Sequence, residues 1–173
     1  ARTSTGERGL IMRALAIAVV TMTLAASSQA WSQDLGYRLY SKTAKYEDVR
    51  DDLKDAIVKR GLVIDYVGQF NTMLERTAVA AGRSAETGRK SPYINAEFVQ
   101  FCPSKLTHEA VSANPLAVAN CPIAVFVYEM NKDPGKIHVG FRTPVASPSR
   151  LSKKINGQFV ELLDGIAKEV TKK

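Results

Sequence analysis

The sequence predicts an α+β fold: a single antiparallel-rich sheet with helices packed on one face and a long amphipathic helix at the C-terminus. Three observations carry this reading. Stretches of strand and helix periodicity follow one another as strand, helix, strand, short helix, strand, helix, strand, strand, helix. The last two strands flank the turn signal Asp133-Pro134-Gly135, which makes residues 136–144 the hairpin partner of residues 121–130. Leu151, Ile155, Phe159, Leu162, Ile166 and Val170 then recur every three or four residues, the stripe of a one-faced helix about twenty residues long.

Each element has its own signal. In residues 35–43, Leu35, Tyr37 and Leu39 alternate, the period of a half-buried strand. From residue 45 the period changes, and Val49, Leu53, Ala56 and Ile57 mark a helix with acids in its first turn and Lys59 and Arg60 in its last. Gly61 stands where the helix end requires positive φ. Residues 62–70 are β-branched and apolar, a strand leading into a short helix that stops near Gly82. Residues 82–92 are small, polar and broken by glycine, which predicts a mobile loop. Residues 93–102 return to strand character, with Ile94, Ala96, Phe98 and Gln100 sharing one side. Ser104 is placed to cap a short helix that Asn114-Pro115 ends.

The N-terminus reads as a targeting segment. Residues 14–26, ALAIAVVTMTLAA, are apolar except for two threonines. The run is too short to cross a hydrocarbon core of ~30 Å as a helix. It fits a secretory signal over residues 1–30, with Arg13 in front and Ser28 and Ala30 at the positions a signal peptidase reads. Met12 opens a signal of ordinary form, so residues 1–11 read as mis-assigned upstream sequence. Cleavage after Ala30 leaves residues 31–173 as one domain, periplasmic or secreted, with no transmembrane segment.

Export changes the meaning of the charge. The chain has 173 residues and a net charge of +7. Arg2, Arg8 and Arg13 against Glu7 account for +2, which leaves +5 on residues 31–173. Much of the excess lies on the last helix, where it reads as a solvated face, so nucleic acid is set aside as a partner. With 45% hydrophobic residues the chain is no disordered segment, and with two cysteines it is no disulfide scaffold.

Cys102, His108 and Cys121 form the one cluster of reactive residue types. Cys102 ends a strand, His108 lies on the following helix and Cys121 opens the next strand. Antiparallel pairing of those strands would bring both thiols to one sheet edge, within the Cα separation of ~4.4–6.8 Å that a disulfide needs. Three readings stay open: a structural disulfide, a redox pair or soft-metal site that includes His108, and two unlinked cysteines. His138 reads as a partly exposed strand residue, and Met73 and Met130 as core filling. The acids of residues 47–52 suit a helix N-terminus without any cation. Glu97 and Glu129 could form an acid–base pair, yet nothing in the sequence places them together. No G-x-S-x-G, phosphate loop, H-E-x-x-H or C-x-x-C-H occurs, and no cofactor is indicated.

Cys102, Pro103, Leu106, His108, Cys121, Val127, Tyr128 and Glu129, with the helix end Lys59-Arg60-Gly61-Leu62, carry a resemblance. Residues 35–144 resemble the family known as domain of unknown function 302. The resemblance implies a small TATA-binding-protein-like arrangement of sheet and helices and a homodimer, and it implies no established activity. The chain departs from that family's pattern where Cys121 precedes its proline, and residues 82–92 look inserted, leaving room for a ligand of its own. The combined expectation is a non-enzymatic binding or accessory protein with a small-molecule or metal ligand. The alternative is a thiol redox or sulfur-carrier protein acting through Cys102 and Cys121.

Overall fold

The computed structural model describes residues 36–82 and 91–172. The expected signal at residues 1–30 and most of the expected loop at 82–92 lie outside the described residues. The elements are β1 Tyr37–Thr43, α1 Tyr46–Val58, β2 Ile64–Gln69, α2 Phe70–Ala80, β3 Tyr93–Phe101, α3 Ser104–Ala113, a 3-10 segment Pro115–Asn120, β4 Ile123–Met130, β5 Asp133–Arg142 and α4 Arg150–Lys172. The strands form one sheet in the order β1-β5-β4-β3-β2, every neighbouring pair antiparallel. This is the expected α+β architecture.

One side of the sheet carries the core. Val99 and Phe101 of β3, Val125 and Val127 of β4, and Ile137, Val139 and Phe141 of β5 are all fully buried. Alternate residues along a strand share a face, so these form a continuous apolar floor. Leu53 and Ile57 of α1 close onto it, with Phe159, Leu163, Ile166 and Val170 of α4. α4 packs on α1, α3, β1 and β5. Its buried row includes Leu163 and Ala167, while Leu151 is exposed and Leu162 only half-buried. The buried seam takes a four-residue step from Phe159 to Leu163, where the sequence stripe takes a three-residue step to Leu162.

Other expectations need correction. β1 turns Tyr37 and Leu39 outward, 47% and 41% exposed, because Arg38 and Tyr40 face the polar flank of α4 instead. The hairpin turn is Asn131-Lys132, and Asp133 already pairs with Met130. Asp133-Pro134-Gly135 forms the irregular start of β5, where Gly135 has φ +80 and donates its N–H to Glu129 Oε1 at 2.8 Å. Ser104 opens α3 rather than capping it; Pro103 is the cap residue, and it makes no side-chain hydrogen bond.

Two strand glycines shape the other side. A Cβ at Gly68 would stand 2.1 Å from the ring of Phe98, its cross-strand partner. A Cβ at Gly140 would stand 2.5 Å from the backbone oxygen of Arg38 and 2.6 Å from the ring of Phe126. The end of each ring therefore fills the space of an absent side chain.

Asp164 of α4 ties the edge strand to the helix layer. It accepts hydrogen bonds from Arg38 and Tyr40 of β1, and from Lys168 at 3.3 Å. Burial alone would raise its carboxyl, but the Tyr40 and Lys168 hydrogen bonds and the Arg38 charge outweigh this and hold it below the ordinary 3.8. A lowered carboxylate contributes stability that is present above its unfolded value and lost as pH falls through the folded one. Asp164→Asn is therefore expected to lower stability by about 1–2 kcal/mol near neutral pH. In urea unfolding the gap between variant and wild type closes below the ordinary carboxylate range. An equal gap at about pH 2 would show that charge is not the source.

Candidate functional site

The antiparallel register of β3 and β4 pairs Phe101 with Ile123. Cys102, just past β3, and Cys121, just before β4, thus meet at one end of the sheet. They form a disulfide-distance pair with a Cα separation of 6.0 Å. Both are half-buried, and Thr107 Oγ1 lies 3.9 Å from Cys121 Sγ. His108, next along α3, is exposed. The described residues hold no group of three or more His, Cys, Asp or Glu that could bind a metal.

The pair closes a loop with a sequence separation of 19 that contains α3 and the 3-10 segment. Constraining a loop of this length in the unfolded chain stabilises by about 3 kcal/mol. The double variant Cys102→Ser, Cys121→Ser is expected to lose about that much in denaturant unfolding. The wild-type pair is expected to have a reduction potential below about −300 mV, the range of an inert structural bridge. A markedly more oxidising value would mark a working thiol couple.

A second feature spans the side of the sheet away from α1 and α4. Tyr66 is 55% exposed and Ile94 40%, and with Tyr37 and Leu39 they set large apolar groups against solvent. Between them the rings of Phe98, Phe126, Tyr128 and His138 are half-buried. Tyr128 and His138 stack at 4.7 Å with 15° between their planes, and Tyr93 meets Tyr128 edge-on at 5.5 Å. Burial and the nearby Lys136 charge lower the His138 imidazole from its ordinary value, so the platform favours a neutral ring there.

α2 borders this face along β2. Tyr66 and Gly68 of β2, Phe98 of β3, and Thr72, Met73 and Arg76 of α2 line a small cleft of about 150 Å³ that opens to solvent. Isolated glycines inside strands signal a close approach, and this was the sequence clue to Phe98 and Phe126. Gly68 and Gly140 lie 72 residues apart and meet the same face only through strand pairing, so neither marks a site by itself in the sequence.

The structure also brings together two carboxylates that the sequence left apart. Glu97 pairs with Val127, and Glu129 with Asn95, so both acids lie on the core side of adjacent strands. Glu97 is 5% exposed, with Lys54 of α1 at 3.4 Å. Tyr46 opens the same helix, and burial followed by the Glu97 charge pushes its phenol well above the ordinary value. Glu129 is held by Asn95 at 3.1 Å and by the Gly135 N–H. Both acids thus have partners within the fold, and Glu97 is sealed beneath α1.

A family model described as domain of unknown function DUF302 matches residues 37–171. Among solved structures, the chain is similar to the crystal structure of an uncharacterized conserved protein DUF302 from Bacillus stearothermophilus. The TM-score is 0.61 at 12% sequence identity, over 79% of this chain and 98% of that one. At that identity the likeness speaks for the fold alone. None of the curated proteins matches the chain.

Proposed function

The chain belongs to the family of domain of unknown function DUF302, and on that footing we propose that it is a non-enzymatic binding or accessory protein whose working surface is the uncovered face of its sheet. The observation that carries this reading is the asymmetry of the two sides. One is sealed by α1 and α4, while the other sets Tyr37, Leu39, Tyr66 and Ile94 against solvent around a floor of aromatic rings. Contiguous exposed apolar surface on a small domain marks an interaction site. Rings seated against Gly68 and Gly140 make that site firm before anything binds, which lowers the ordering cost of association.

This places the binding surface away from Cys102 and His108. In the same proposal the protein is exported, its signal removed after Ala30, and the cysteine pair ties down the segment between β3 and β4. A disulfide persists in such a compartment. A thiol redox or sulfur-carrier role through Cys102 and Cys121 is the rival reading, favoured by their closeness and partial exposure.

Nile red, a neutral apolar dye, tests the surface. The folded chain is expected to enhance its fluorescence, and Tyr66→Lys with Ile94→Lys to remove most of that enhancement while leaving the circular dichroism spectrum unchanged. Enhancement that survives both substitutions would place the apolar site elsewhere and overturn the proposal.

A further inference from the structure

We propose that the cleft between β2 and α2 binds a small planar aromatic carboxylate. The proposal rests on the reading of the uncovered face as a binding surface and names the class of ligand that one corner of it takes. About 150 Å³ of the cleft is free for a ligand, below the ~300 Å³ at which sites for larger molecules begin, so it limits the occupant to a small one.

Shape comes from the glycine. Gly68 leaves no side chain between β2 and the ring of Phe98, which lies where its Cβ would be. The floor of the cleft is thus aromatic, and Tyr66 rises beside it with ring centroids 5.9 Å apart and a tilt of 55°. Met73 supplies the opposite wall from α2. Its thioether is polarizable and adapts to the edge of a ring. Two ring faces and a thioether favour a flat, unsaturated ligand over a branched aliphatic one.

Charge comes from Arg76. Among the described residues it is the one formally charged side chain lining the cleft, and it is exposed. Arg38, Arg50 and Arg60 are paired with Asp164, Asp51 and Glu169. Arg76 has no ion pair among the described residues. A guanidinium presents a planar fork of donors that matches a carboxylate, so the charge selects the ligand's head group as the rings select its body. Thr72, one helical turn earlier, brings a hydroxyl to the same cleft.

The test uses three probes on the full-length chain, followed by amide chemical shifts: 2-naphthoate, its neutral alcohol 2-naphthalenemethanol, and the aliphatic anion cyclohexanecarboxylate. Naphthoate is expected to bind best and to shift Tyr66, Thr72, Met73 and Arg76. Arg76→Gln should weaken naphthoate about tenfold or more, Arg76→Lys should weaken it less, and neither should alter the alcohol. Naphthoate binding unchanged in Arg76→Gln, cyclohexanecarboxylate binding as tightly, or shifts confined to another region would each overturn the proposal. If no probe binds while Nile red still reports the face, the ligand class fails and the binding surface stands. If Nile red fails too, both fall.

Discussion

Strand pairing across the centre of the sheet forces every side chain of β3, β4 and β5 to one of two faces, and only one of those faces is sealed by α1 and α4. Burying Val99, Val125, Val127, Ile137, Val139 and Phe141 beneath the two helices supplies the main apolar driving force of the fold. The same alternation commits Phe98, Phe126, Tyr128 and His138 to the opposite side. A slip of one residue would exchange the two sets, so core stability and surface character are set by one constraint. Gly68 and Gly140 complete it by letting two rings lie against the backbone.

The parts of this arrangement legible in the sequence are those with local causes. The α1 stripe of Val49, Leu53, Ala56 and Ile57 and the long C-terminal helix declare themselves by period alone. The meeting of Cys102 and Cys121 followed from one assumption, that their strands are antiparallel neighbours, and the register bears that assumption out. What escaped depends on distant partners. Alternation in β1 announces a strand but not which face is covered, and Asp164, more than a hundred residues away, draws Arg38 and Tyr40 toward the helices. Asp133-Pro134-Gly135 reads as a turn from its residue types, yet pairing between Met130 and Asp133 puts the turn earlier. Glu97 and Glu129 become neighbours only once β3 and β4 are aligned.

The functional reading shifts in the same direction. Residue chemistry alone drew attention to the Cys102, His108 and Cys121 cluster, because thiols and imidazoles carry recognisable reactivity. In the folded chain the two cysteines pair and His108 is exposed on its helix. Apart from His138, whose imidazole stacks on Tyr128, the aromatic platform has no reactive group to advertise it. Its rings come from β3, β4 and β5 and are bordered by α2 along β2, and the chemistry proposed for it is flat apolar recognition, with Arg76 at the rim as its charge.

The central claim is that the face bearing Leu39, Tyr66 and Ile94 stands open in the free protein. Paramagnetic relaxation by a soluble gadolinium chelate tests it most directly, since the effect depends on how closely solvent approaches each proton. Strong relaxation is expected for the side chains of Leu39, Tyr66 and Ile94, with Val99, Val125 and Val127 protected. Protection of Leu39, Tyr66 and Ile94 to the same degree as the core valines would mean that the face is covered, and would contradict the account.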